Sequence, residues 1–251
     1  MTTVYTVLIF LYGIVFGSFF NVVGLRVPKG ESIVRPPSHC TVCDRRLTAL
    51  DLVPVLSYVF LKGKCRGCGT KIHWVYPVIE IVTGFLFAFS YVKLGFSLEL
   101  IVALLFISLL VIITVSDIAY MLIPDKILLF FLVPIVVARI FSPLTPWWDS
   151  ILGAVIGFGL LFLIAVLSKG GMGGGDIKLF FVIGLVLGVT LSLLTLFLAS
   201  VIGAIIGIIV LKKAKKGRKT PIPFGPSIAT AAIIAYFYGE ALVDWYVNLF
   251  F

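Results

Sequence analysis

Long apolar runs dominate this 251-residue chain and decide its fold class before any motif is read. At about 1.5 Å of rise per residue, Val4–Val23, Leu98–Val115 and Ile177–Leu211 are each long enough to cross a hydrocarbon layer of roughly 30 Å. Hydrophobic residues make up 61% of the chain, charged residues 12%, and the mean hydropathy is +1.21. That balance excludes an ordinary soluble domain and predicts an all-α polytopic membrane protein. The first run has no basic segment before it and no small-residue cleavage site after it, so it reads as a retained helix rather than a signal peptide.

The pattern predicts helices near 4–25, 75–94, 97–116, 126–142, 149–168, 177–189, 191–211 and 224–248, about eight transmembrane segments. The run 177–211 is too long for one span, and Gly188 and Thr190 offer a place to divide it. Basic residues set the orientation. Nine Lys/Arg fall between Arg26 and Lys71, and six more are Lys212, Lys213, Lys215, Lys216, Arg218 and Lys219. Lys126, Lys169 and Lys178 sit at span ends on the same side, while Lys93 and Arg139 fall opposite. This bias predicts a cytoplasmic face for the 26–74 loop and for both Asp117 and Asp176, with the termini outside. The net charge of +9 is thereby assigned to orientation and contact with anionic lipids, not to nucleic acid.

The 26–74 loop is the one stretch of soluble character, and it is too small for a core of its own. It holds all four cysteines, as Cys40-Thr-Val-Cys43 and Cys65-Arg-Gly-Cys68. Two C-x-x-C knuckles at this separation match a structural zinc site closed by four thiolates. Paired disulfides would need an oxidising compartment, and the charge bias places the loop in the reducing cytoplasm. His39 and His73 flank a shell that is already full and are expected outside it.

Asp117 closes one apolar run, and Asp176 follows the glycine run 170–175 and opens another. Carboxylates at membrane depth are expensive and point to function. Two that converge cannot both ionise cheaply, so one proton is shared; one acid can then activate water while the other polarises a carbonyl. The competing reading makes both ordinary helix-boundary residues, with Asp176 as an N-cap; transporters also place acids beside glycine breaks. Asp125, after Pro124, reads as an N-cap. The glycine run lacks a following Gly-Lys-Ser/Thr and is a poor phosphate loop.

Taken together, these segments resemble a known family. Gly173-Gly174-Gly175-Asp176 fits the G-x-G-D motif of intramembrane aspartyl proteases. Ser116-Asp117-Ile118 with Ile123-Pro124-Asp125 resembles the first aspartate segment of type IV prepilin peptidases. Gly17–Val23, Arg35–Cys40, Pro54–Ser57, Tyr76–Glu80 and Pro223–Pro226 resemble further segments of the bifunctional members, so the likeness covers nearly the whole chain. It implies cleavage of the basic leader from prepilin or pseudopilin helices, then N-methylation of the new terminus with S-adenosylmethionine, in a bacterial inner membrane. By that resemblance Asp117 and Asp176 are the catalytic dyad, supported by Gly173, Gly175 and Lys178. Residues 1–96 form the methyltransferase-associated region, with Asn21, Arg26 and Glu80 as its polar candidates, and 97–251 form the peptidase domain. An unrelated intramembrane aspartyl protease would explain the dyad but not the cysteine loop; an ion-coupled transporter would call for inverted repeats, which the hydropathy pattern lacks.

Overall fold

The computed structural model describes residues 1–169, 171–214 and 222–250. Gly170 and the basic residues Lys215, Lys216, Arg218 and Lys219 lie outside the described residues. The chain forms α1 (Thr2–Arg26), α2 (Leu56–Phe60), α3 (Val75–Leu94), α4 (Leu98–Tyr120), α5 (Asp125–Phe141), α6 (Asp149–Leu167), α7 (Gly174–Ala214) and α8 (Gly225–Phe250). Among the described residues there is no β-strand, only two isolated bridges in the cysteine loop. It is therefore an all-helical membrane protein. Among the described residues, six helices are long and apolar enough to cross a bilayer, namely α1, α3, α4, α6, α7 and α8.

The two remaining segments come from α5 and from a break in α7. With 17 residues, α5 is just short of a full crossing length. At 41 residues α7 is about 60 Å long, twice the hydrocarbon thickness. It breaks at Gly188, whose backbone (φ 75°, ψ −172°) lies in a region essentially reserved for glycine. The division expected at Gly188–Thr190 is thus at Gly188, and counting both limbs of α7 recovers the eight segments.

Such a break strands backbone groups that lipid cannot satisfy. The buried Arg139 of α5 donates through Nη2 to the Val186 carbonyl at 2.6 Å, closing the first limb. Asp149 of α6 accepts the Val189 N–H at 3.2 Å, opening the second. Each charge lies where the helix dipole favours it, a cation at a C-terminus and an anion at an N-terminus.

Contact clustering divides the chain into two compact units, Met1–Val115 and Ser116–Phe251, with α4 running from one into the other. Within the first, α1 packs on α3 through Gly13 and Gly17. A Cβ on Gly13 would come within 2.7 Å of Gly84 Cα, and one on Gly17 within 2.8 Å of Glu80 Cα. Within the second, α6 meets the first limb of α7 at Gly153 and Gly157; a Cβ on Gly157 would lie 2.8 Å from the Phe180 carbonyl. Both are small-x-x-x-small seams, where backbones approach closely because hydrocarbon offers helices no hydrophobic reason to associate.

Two sequence expectations and one competing reading are corrected. Asp117 does not end its helix, since α4 continues to Tyr120. Asp176 is not an N-cap; α7 begins at Gly174 and Asp176 is its third residue. Asp125 is the first residue of α5, and Pro124 holds the cap position, because proline's extended backbone there starts the helix one residue earlier.

Replacing Gly188 with alanine puts a Cβ on the Asp149 carboxylate and forces a side chain into glycine-only backbone space. We expect destabilisation of about 1–3 kcal/mol, read as a lowered Tm in detergent. An unchanged Tm would refute this account of the break.

Candidate active site and metal centre

The cysteine loop is built from two copies of one turn. His39 bridges Arg46 around the first knuckle and Lys64 bridges Lys71 around the second. Cys40 N–H donates to Arg45 O, and Cys65 N–H to Thr70 O in the matching position. The residue after each second cysteine, Asp44 or Gly69, turns with positive φ (53° and 70°). The four sulfurs all lie within 4.8 Å of one another, and the cluster can hold a metal ion. The donor chemistry fits. Backbone N–H groups of Val42 and Cys43 lower the Cys40 thiol, while the Thr70 hydroxyl and N–H bring Cys68 down to about 6. Cys43 accepts from Arg45 N–H yet is held at about 11 by the neighbouring thiols, Cys68 first. Four crowded sulfurs cannot all ionise without a cation among them. His39 Nδ1 faces the Pro37 carbonyl and His73 Nδ1 accepts from Val75 N–H, so neither joins the cluster.

Asp51 ties the two knuckles together. Its nearly buried carboxylate (3% exposed) pairs with Arg45 beside the first knuckle at 2.9 Å and with Arg66 inside the second at 3.0 Å. It also accepts the N–H and hydroxyl of Thr48 in a capping box. These contacts, the Thr48 N–H foremost, hold Asp51 below the ordinary carboxylate range. The tie is therefore intact at neutral pH and is lost only as acid protonates the carboxylate.

Around the same end of α1 and α3 lie Asn21, Arg26 and Glu80. Buried Asn21 donates to the Tyr76 carbonyl at 3.2 Å. Arg26 Nη1 donates to the carbonyls of Ser32 and Pro36 at 3.0 and 2.7 Å. Glu80 Oε2 accepts the Val55 N–H at 2.7 Å. Each side chain is committed to the protein itself.

In the second unit, Asp117 and Asp176 are 59 positions apart in sequence and come within electrostatic reach, the charge of Asp117 acting on Asp176. Asp117 is 6% exposed and Asp176 half-buried. Three contacts bring them together. Gly225 N–H, at the start of α8, donates to Asp117 Oδ2 at 2.7 Å. Ser116 Oγ donates to the Leu122 carbonyl, folding the 121–124 linker back on α4. Ile123 of that linker then rests on Gly175; a Cβ there would come within 2.7 Å of Ile123 Cβ. A Cβ on Gly173 would lie 3.0 Å from Asp176 Oδ2, whereas one on Gly174 meets nothing within 4 Å. The G-x-G-D spacing thus has a steric cause: the outer glycines are needed and the middle position is free.

Lys178 Nζ pairs with Asp125 Oδ2 at 2.7 Å, linking the starts of α7 and α5. An apolar groove opens beside the pair, between Leu128, Leu129 and Leu132 of α5 and Phe158 and Phe181. Sequence reasoning did not find the roles of Gly225, Asp51 or Val55. The Asx-type spacing Thr48-x-x-Asp51 was legible as a capping box; the other two depend on contacts no local pattern encodes.

Comparison with known proteins adds the following. Residues 11–94 match the bacterial peptidase A24 N-terminal domain, and residues 104–208 match the type IV leader peptidase family. A prepilin leader peptidase/N-methyltransferase of Bacillus subtilis (strain 168) is 45% identical over 242 residues, covering 96% of this chain and 98% of that protein. One of Aeromonas salmonicida (strain A449) is 32% identical, covering 97% and 94%. One of Pseudomonas aeruginosa is 31% identical, covering 95% and 92%. No solved structure matches the chain.

Replacing Cys40 and Cys43 with serine should abolish metal retention by the purified protein, and Asp51→Ala should weaken it about tenfold or more, the range for losing a contact that orients metal ligands. Competition with a chelator measures both. Retention by the double serine variant would overturn the cluster as a metal centre.

Proposed function

This chain belongs to the type IV leader peptidase family, and we propose that it removes the basic leader from type IV prepilin-like membrane helices and N-methylates the new terminus. The observation that carries this reading is that the Ile123 linker after Asp117 packs on Gly175, the residue before Asp176, so that two distant stretches of chain meet beside the two acids. In the proposed peptidase the pair holds one proton between its members. The ionised carboxylate takes a proton from water, and the protonated one donates to the scissile carbonyl as the tetrahedral centre forms. Gly225 N–H fixes Asp117, and the bare backbone at Gly175 admits the Ile123 linker. Lys178 supports the Asp176 segment through Asp125. The positive-inside bias supports a cytoplasmic face for the dyad and the cysteine loop in a bacterial inner membrane, and contact with anionic lipids there.

Zinc is the ion we assign to the four cysteines, as a structural staple of the 26–74 loop. The region 1–96 is assigned to methyl transfer and 97–251 to peptide cleavage. S-adenosylmethionine is the methyl donor implied by this reading, supplying the methyl group to the freed amine. Asn21, Arg26 and Glu80 stand nearest to that task by position. As folded, however, Asn21 Nδ2, Arg26 Nη1 and Glu80 Oε2 are each engaged with backbone groups of the protein itself. No transfer step is therefore drawn through them.

Asp117→Asn and Asp176→Asn should each abolish leader cleavage in protein that still inserts, scored by mass spectrometry of a prepilin substrate. Cleavage by either variant removes the dyad. Gly225→Ala and Gly175→Ala should slow cleavage about tenfold or more, a loss of ~1.4 kcal/mol in the transition state, whereas Gly174→Ala should stay near the parent rate. Equal sensitivity at 174 and 175 would refute the steric account. Methylation should fail wherever cleavage is blocked, because the acceptor amine does not yet exist; a methylated N-terminus on uncleaved substrate would contradict that order.

A further inference from the structure

Pro54, Val55 and Leu56 form a tight γ-turn. The Leu56 N–H donates to the Pro54 carbonyl at 2.6 Å across a single residue, and Val55 adopts φ 62°, ψ −54°. Turns of this sign are rare and strained, and a β-branched residue is the least suited to the position. Strain of this kind persists only where the surroundings enforce it. The enforcing contact is Glu80, 8% exposed on α3, whose Oε2 accepts the Val55 N–H at 2.7 Å. Gly17 lets α1 pass directly over the Glu80 backbone. The turn sits between two structural devices. Three residues before it is Asp51, which pairs with both knuckles. Immediately after it comes α2, whose Tyr58 accepts from Gly63 N–H, while the Gly63 carbonyl takes Ile72 N–H beside the second knuckle.

We infer that Glu80 is a positioning residue, a clamp that holds the strained Val55 turn, and through it the cysteine-bearing loop, on α1 and α3. It is not the base of a methyl transfer: a carboxylate committed to a backbone amide within packed helices is not free to take a proton from a substrate amine. The clamp's consequence for methylation rests on the proposed function; its effect on the loop does not.

The test uses the full-length protein in detergent or nanodiscs, with two readouts. One is the methylated fraction of cleaved prepilin in the presence of S-adenosylmethionine, and the other is the rate of protease cutting within residues 27–74. Glutamine keeps an oxygen for the Val55 N–H but is no base, and glycine at 55 adopts positive φ without a Cβ penalty. Glu80→Ala should lower the methylated fraction about tenfold and speed loop proteolysis severalfold, while Glu80→Gln stays within about threefold of the parent on both. Adding Val55→Gly to Glu80→Ala should recover most of the protection, since the turn no longer needs enforcing. Two results would overturn the clamp: Glu80→Gln as poor in methylation as Glu80→Ala with the loop still protected, or Glu80→Ala with unchanged proteolysis. If the parent protein cleaves but never methylates, the methyltransferase reading falls instead, and proteolysis alone decides the clamp.

Discussion

At four places where this chain interrupts its regular backbone, an acidic side chain takes up the exposed amide. Asp117 accepts Gly225 N–H at the start of α8, Asp149 accepts Val189 N–H after the Gly188 break, and Glu80 accepts Val55 N–H in the γ-turn. Asp51 does the same for Thr48 in the cysteine loop. The physical pressure is shared. A backbone N–H without a partner in or beside hydrocarbon costs several kcal/mol, and a carboxylate is the strongest acceptor a side chain offers. Acids tolerated in such a chain are thus tied to the breaks, and the breaks are where irregular backbone creates room for chemistry. Asp176 shares this setting, on the first turn of α7 behind a run of glycines.

The glycines do the complementary work. Gly13 and Gly17 bring α1 onto α3 closely enough to bury Glu80, and Gly153 and Gly157 bring α6 onto α7 next to the break that Asp149 caps. Gly175 accepts Ile123 and so joins the segment after Asp117 to the segment before Asp176. In each case the missing side chain lets one backbone reach another, and a carboxylate then finds a partner it would otherwise stand too far from. A seam of larger residues would separate the helices by a further side-chain layer and leave the acids unsatisfied.

Much of this was legible in the sequence because it is one-dimensional information. Apolar run length gave the spans, including the division at Gly188, since only glycine suits that backbone and 41 residues exceed a bilayer. The cysteine spacing encoded the metal cluster because a C-x-x-C turn presents its two sulfurs locally. The two acids stood out because their solvation cost is a property of their surroundings in sequence. Helix ends were less legible: Asp117 and Asp176 lie inside helices that run past the expected boundaries, as side-chain polarity does not mark where hydrogen bonding stops.

Tertiary structure alone decided which partner each polar group takes. Arg26 folds onto carbonyls of its own downstream loop and Glu80 onto Val55. Nothing near Asp117 in sequence points to Gly225, 108 residues away, and nothing near Asp125 points to Lys178. Spans and ligand turns follow from short-range rules of hydropathy and backbone geometry, so residue order suffices to fix them. Partnerships between charges and amides depend on which helices lie side by side, and that is settled by packing at glycine seams across the whole chain.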